Sequence, residues 1–102
     1  MRFLATAIIL AAAPCAALAD EISGDWCSSL GAHVRIEGNR IQSPGGQWTD
    51  GVYERHSYAF TIPDGEADAG ADVSMRQMSE ERVLYTVAGR DAEEWRRCKL
   101  IS

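Results

Sequence analysis

The sequence predicts an all-β protein, a small antiparallel barrel or meander of about seven to eight short strands. Short runs rich in Val, Ile, Tyr, Trp and Thr alternate with Gly, Pro, Asn and Asp, and turn signals recur roughly every eight to twelve residues. After the amino-terminal segment, no stretch sustains the period of about 3.6 residues that an amphipathic helix requires. Two cysteines, Cys27 and Cys98, lie near the two ends of the strand-rich region. We therefore expect one disulfide-closed β domain.

The first residues have the layout of a secretory signal peptide. Arg2 supplies a positive charge, residues 3–13 form an apolar run, and Ala17-Leu18-Ala19 resembles a small-x-small cleavage site. This pattern predicts that residues 1–19 are removed on export. Residues 20–102 then form a single domain that is periplasmic or secreted.

Two alternatives exist for the same segment. A membrane anchor needs about 20 apolar residues, and the run here is shorter and is interrupted at Pro14. A lipoprotein would be acylated at Cys15, but Pro14 does not suit the position before an acylated cysteine. We expect no membrane span in the exported part of the chain.

Removal of the signal peptide also removes Cys15, which leaves Cys27 and Cys98 as a single pair. An even number of cysteines in an exported chain indicates a disulfide, and two cysteines allow only one pairing. A metal site would need more Cys or His at tight spacing, so we expect neither a metal nor a cofactor.

The net charge of the chain bears on which kinds of partner it can bind. Ten basic residues stand against fifteen acidic ones, giving a formal net charge of −5, and loss of Arg2 makes the exported part more negative. An acidic chain is unsuited to nucleic acid and to anionic membrane surfaces. The expected partner is another periplasmic or extracellular protein.

The expected strands are 26–28, 33–37, 40–43, 47–53, 55–62, 72–78, 82–88 and 93–100. In the second strand, Val34 and Ile36 alternate with charged residues and should face the core. Gly38-Asn39 suits a two-residue hairpin turn, and Pro44-Gly45-Gly46 is the next turn signal. The strand 47–53 contains a possible break at Asp50-Gly51.

In the later strands, alternation again predicts the core face. The expected inward residues are His56, Tyr58, Phe60, Ile62, Val73, Met75, Val83, Tyr85 and Val87. Between them, residues 64–72 should form a flexible, solvated acidic loop, because their spacing does not match a calcium-binding loop. A meander of this kind closes most readily as a barrel, and a two-sheet sandwich is the competing architecture.

The motif Gly24-Asp25-Trp26 resembles the start of the lipocalin and calycin-like families, in which the Trp plugs the closed end of a barrel. In those families a basic residue of the last strand stacks across the Trp. In the matching segment, Trp95-Arg96-Arg97, the resemblance makes Arg96 or Arg97 the stacking residue.

The chain is more similar in length to small exported barrels, such as bacterial inhibitors of secreted metalloproteases and periplasmic lysozyme inhibitors. The resemblance implies binding or inhibition, although the metalloprotease inhibitors should have a local disulfide, whereas Cys27–Cys98 would span the domain. Large side chains should fill so small a barrel and leave no room for a transported ligand. They are Trp26, Trp48, Tyr53, Tyr58, Phe60, Tyr85 and Trp95.

No pattern of catalytic residues is recognisable, and we expect no enzymatic activity. His56 and Glu54 lie two residues apart in the densest titratable cluster, but no nucleophile motif accompanies them. Met75 and Met78 could ligate copper(I) with His56, but a spacing of three places the two methionines on opposite faces of a strand. The possible binding surface is Trp48, Tyr53, Arg55 and His56.

These observations favour an exported binding or inhibitory module that acts by surface contacts. The alternative is a structural or envelope-accessory protein without small-molecule activity. A binder should expose an apolar or aromatic patch, around Trp48 and Tyr53, and an accessory domain need not.

Overall fold

The computed structural model describes residues 21–99, so the expected signal peptide and Leu100 lie outside the described residues. Nine strands and no helix occur in this range. They are β1 (Gly24–Cys27), β2 (His33–Glu37), β3 (Arg40–Gln42), β4 (Trp48–Asp50), β5 (Val52–Glu54), β6 (Ser57–Thr61), β7 (Asp72–Ser79), β8 (Arg82–Val87) and β9 (Glu93–Arg97). The all-β prediction is confirmed, with one strand more than expected.

All nine strands belong to one antiparallel sheet with the order β4-β3-β2-β1-β9-β8-β7-β6-β5. Consecutive strands are neighbours except β4 and β5, which stand at opposite ends of the order, and the first strand, β1, pairs with the last, β9. That pairing has only two cross-strand positions, Trp26 opposite Arg97 and Cys27 opposite Arg96. The Cys27–Cys98 disulfide, predicted from the sequence, reinforces this short pairing.

The two ends of the sheet meet, which makes the architecture a nearly closed barrel rather than a sandwich. β4 and β5 stand last at either end of the strand order, yet in the chain only Gly51 separates them. Residues 48–54 therefore pair first with β3 and then with β6, and close the barrel. A Cβ at position 51 would lie 2.3 Å from the Tyr58 ring, so glycine is needed at this change of partner. The extra strand is the predicted 47–53 divided at Gly51.

The barrel interior is filled by hydrophobic side chains that alternate along every long strand. The buried set is Ile22, Trp26, Val34, Ile36, Ile41, Tyr58, Phe60, Ile62, Val73, Met75, Val83, Tyr85 and Trp95. Neighbouring rings contact one another in sequence from Tyr53 through Tyr58 and Phe60 to Tyr85 and Trp95. Val87 is half-buried at the edge of this core. The predicted core is confirmed with two exceptions, His56 and Trp48; Trp48, expected to help fill the barrel, is exposed because its neighbour Thr49 lies opposite the buried Ile41.

The first exception, His56, was assigned by the sequence to the core face of a strand beginning at Arg55. The structure shows that Arg55 and His56 form the turn between β5 and β6, and both are exposed. The strand begins at Ser57, which faces Glu54 across the hairpin. This two-residue turn contains no Gly, Asn or Pro, so the usual turn signals were absent.

The alternating strand directions define two ends of the barrel. Residues 21–23 and the turns 38–39, 55–56 and 80–81 lie at one end, which we call the closed end. The connections 28–32, 43–47, 62–71 and 88–92 lie at the other, which we call the open end.

Candidate binding surfaces

Arg97 closes one end of the barrel. Its guanidinium carbon lies 3.9 Å from the centroid of the Trp26 ring. Its nitrogens donate hydrogen bonds to three backbone carbonyls, those of Glu21 (2.6 Å), Ser23 (2.6 Å) and Glu80 (2.9 Å). Burial lowers the pKa of Arg97, and surrounding carboxylates, Glu81 foremost, oppose that shift. We call this arrangement the Arg97 clamp. It holds β9 against residues 21–23 and against the 80–81 turn.

The clamp explains the Gly-x-Trp motif in physical terms. Gly24 has φ +110°, a conformation that favours glycine, and a Cβ there would lie 2.9 Å from an Arg97 nitrogen. Trp26 is fully buried, and its indole N–H donates to the carbonyl of Ile22 at 2.8 Å. Arg96, the other candidate, points outward and pairs with Glu94 at 2.9 Å.

Trp48 lies on the outer face of the barrel. Its side chain is 41 % exposed, and the Arg40 guanidinium carbon lies 6.0 Å from its ring centroid. Val52, four residues further along the closing run, is 65 % exposed on the same face. We call Arg40, Trp48 and Val52 the outer-wall patch.

The other predicted surface residues do not join this patch. Tyr53 lies five residues after Trp48 and faces the opposite side, where its ring contacts Tyr58 and its hydroxyl donates to the Glu21 carboxylate. Arg55 and His56 lie in the turn at the closed end, roughly 20 Å from Trp48 along an extended strand. Trp48 and Tyr53 therefore form no common surface.

A row of small, uncharged side chains continues from Val52 across the outer face. In cross-strand register, Val52 lies opposite Ala59, Ala59 opposite Ser74, and Ser74 opposite Thr86. These residues line a shallow groove of about 450 Å³. One carboxylate also lines the groove, that of Asp72, which accepts a hydrogen bond from the Thr61 hydroxyl at 2.8 Å.

At the open end, Glu66 fastens the acidic loop that the sequence predicted to be flexible. Its carboxylate accepts hydrogen bonds from the Ser43 hydroxyl (2.5 Å), the Gly45 N–H (2.8 Å) and the Gln47 N–H (3.3 Å). Burial alone would raise the pKa of Glu66, but the hydrogen bonds from Ser43, Gly45 and Gln47 outweigh it and lower the pKa. Asp68 in the same loop pairs with Arg90. Most of the loop is exposed as predicted, but the bonds of Glu66 and Asp68, which the sequence did not predict, hold it to the barrel.

Replacement of Glu66 by Gln should make the protein less stable by about 1–2 kcal/mol at neutral pH, because charge-assisted hydrogen bonds are lost. The folded-state pKa of Glu66 is lowered, so its stabilisation is present above the unfolded pKa and is lost as pH falls through the folded value. Urea unfolding of both proteins from pH 7 to pH 3 should show the difference shrinking in acid. Asp64→Asn, in the same loop, is the control. A difference that stays constant over this range would contradict the assignment.

A recess opens at this end, above the filled core. It has a volume of about 240 Å³ and extends between the β1–β2, β3–β4, β6–β7 and β8–β9 connections. Tyr85 and Trp95 line it, stacked with centroids 4.1 Å apart. We call it the open-end recess.

Candidate catalytic and metal-binding groups are dispersed. Within residues 21–99 no group of three or more His, Cys, Asp or Glu side chains could hold a metal ion. His33 and Asp25 form an exposed pair with 2.7 Å between Nε2 and Oδ1. Met75 is buried while Met78 is 47 % exposed, so the two do not face one site. In the same range, no helix has the length and apolar character needed to cross a bilayer.

Fold and surfaces together define a class, the small antiparallel β-barrel with a disulfide between its first and last strands. Comparison with protein-family models finds no match, and no curated protein and no solved structure is significantly similar to the chain. The lipocalin-like resemblance therefore stays a prediction. The disulfide is compatible with an extracytoplasmic location. Function has to be argued from the surfaces themselves.

Proposed function

We propose that the protein is an exported, non-catalytic binding or inhibitory module that recognises another periplasmic or extracellular protein by surface contacts. The observation that carries the proposal is the outer-wall patch. Trp48 and Val52 expose 41 % and 65 % of their side chains on one face of the same extended run. Two exposed apolar side chains four residues apart on one face, with Asp50 between them, indicate a surface that a partner covers.

The chemistry of the patch suits a protein partner. Trp and Arg are enriched among the residues that dominate protein–protein binding energy, and Arg40 lies over the Trp48 ring. Arg40 is also held by Asp50, with 3.7 Å between Nε and Oδ1, so its position is partly preorganised. The uncharged row beginning at Ala59 extends the contact area, and Asp72, the carboxylate that lines the same groove, is already hydrogen-bonded by Thr61.

The filled interior is a further argument for contact rather than transport. Trp26, Tyr58 and Met75 are at most 2 % exposed and occupy the space that a carried ligand would need. The alternative, a structural or envelope-accessory protein, requires no such patch and is the conclusion if no partner is found.

The double variant Trp48→Thr/Val52→Thr should abolish partner capture. The tagged wild-type protein, incubated with an extracytoplasmic extract of its source organism, should enrich a partner, and the double variant should enrich it at least about tenfold less. Threonine is chosen because it keeps the β propensity of both positions. Quantitative mass spectrometry of the eluates provides the measurement.

The matched control is Leu30→Ser/Met78→Ser, which removes exposed apolar groups elsewhere; these side chains are 91 % and 47 % exposed. This control variant should enrich the partner as strongly as the wild-type protein does. Equal loss in both double variants would mean nonspecific adhesion. Absence of any enriched protein would favour the accessory alternative.

A further inference from the structure

The open-end recess has a rigid aromatic floor. Tyr85 and Trp95 are 5 % and 3 % exposed, and their ring planes differ by 14°. The indole N–H of Trp95 donates to Glu93 Oε1 at 3.0 Å, which fixes the orientation of the ring. The recess walls include Ile62 and Val87. A ligand group entering here meets preformed aromatic and aliphatic surface.

The rim of the recess is acidic. Asp68, Asp91 and Glu93 line it, and Arg90 is the one basic residue in the lining. Arg90 is already engaged by Asp68 through two hydrogen bonds of 3.0 and 2.6 Å. Asp91, in contrast, has no ion pair or hydrogen bond with any residue between 21 and 99. One carboxylate at the rim is therefore free to pair with an incoming charge.

The pKa of Tyr85 reflects both the burial of its ring and the acidic rim. Burial raises the pKa of Tyr85 to about 12, and the carboxylates of Glu93, Asp68 and Glu66 act in the same direction. The recess therefore has a negative potential above a buried aromatic floor, while the carboxylates of its rim are exposed to solvent.

We propose that the open-end recess binds a single organic cation, an ammonium or guanidinium group, against the Tyr85–Trp95 pair with Asp91 and Glu93 as counter-ions. Aromatic rings attract such cations through the negative potential of their faces, and carboxylates add charge-assisted hydrogen bonds. A volume of about 240 Å³ lies below the usual range for drug-sized ligands, which limits the guest to one small group. That group is either a free small amine or a Lys or Arg side chain of a protein. This site is distinct from the outer-wall patch and does not depend on it.

The test is a titration followed by the NMR signal of the Trp95 indole N–H, assigned among the three tryptophans by its loss in Trp95→Phe. Titration with n-butylammonium should shift this signal to saturation, while n-butanol and butyrate at the same concentrations should leave it unchanged. A lysine peptide, acetyl-Gly-Lys-Gly-amide, distinguishes the sources. Saturation by the peptide identifies a protein side chain as the guest, and saturation by n-butylammonium alone identifies a free amine.

Asp91→Asn should raise the dissociation constant for n-butylammonium about threefold to fivefold, because an exposed counter-ion is lost. Asp50→Asn is the matched control, since the Asp50 side chain is 91 % exposed on the outer wall, and it should have no effect. Equal weakening by both variants, or an equal shift with n-butanol, would overturn the proposal. A titration with n-butylammonium that does not saturate would also overturn it. Trp48→Thr/Val52→Thr should still bind n-butylammonium, so a failure of either proposal is distinguishable from a failure of the other.

Discussion

Replacement of both Cys27 and Cys98 by serine should lower the free energy of unfolding by about 4 kcal/mol. The disulfide joins residues separated by 71 positions, so its loss frees almost the whole domain in the unfolded state. The pairing that it reinforces, β1 with β9, has only two cross-strand positions, while β7 and β8 share six. A domain of this size has a total stability on the order of 5 kcal/mol, so much of the population should unfold.

Urea unfolding monitored by circular dichroism provides the measurement. Wild-type protein in reductant should unfold at the same urea concentration as the double serine variant, and intact mass should increase by two hydrogens on reduction. Ser29→Ala, at an exposed position near the disulfide, is the control and should behave like wild type. A loss below about 1 kcal/mol would show that the strand pairing holds without the covalent bond.

Replacement of Arg97 by methionine should lower the free energy of unfolding by about 2–4 kcal/mol, the second-largest effect expected. Methionine retains apolar contact with Trp26 but removes the donors to Glu21, Ser23 and Glu80. The carbonyls of Glu21 and Ser23 are partly buried, so losing a charged donor leaves them with a desolvation cost, whereas the Glu80 carbonyl can turn to water. The Trp26 indole should also become more accessible, so that acrylamide quenches tryptophan fluorescence more efficiently.

Arg96→Met is the matched control because Arg96 has the same charge on the same strand. Its side chain is 64 % exposed in a surface ion pair with Glu94, and such pairs contribute at most about 1 kcal/mol. Arg97→Lys should fall between wild type and Arg97→Met, since lysine keeps the charge without the planar fork. Equal losses for Arg96→Met and Arg97→Met would refute the role assigned to the clamp.

Most strands could be predicted because their signals are local. The alternation of Val34 and Ile36 with charged residues depends only on the period of a strand, and both side chains are buried. The turn at Arg55-His56 was missed because neither residue is a typical turn former. A shift of the strand start to Ser57 left Tyr58 and Phe60 buried but placed His56 in solvent.

The candidate sites were harder to predict because they depend on distant residues. Glu66 contacts Ser43, 23 positions away, and no local pattern distinguishes it from other acidic residues of its loop. Trp48 was a recognised candidate, but its companion Val52 was not, since an isolated valine in a strand normally faces the core. The open-end recess collects residues from four connections and leaves no sequence signature.

The sequence by itself determined the all-β class, the one available disulfide and the inward side of the longer strands, as at Val34, Tyr58 and Val83. Only the tertiary structure decided that Arg97, and not Arg96, meets Trp26, because register with β1 places Arg97 on the inner face. It also decided that the barrel closes at Gly51 and that Trp48 and Tyr53 face opposite sides. The physical reason is that alternation is a property of consecutive residues, whereas register and closure depend on the pairing of strands far apart in the chain.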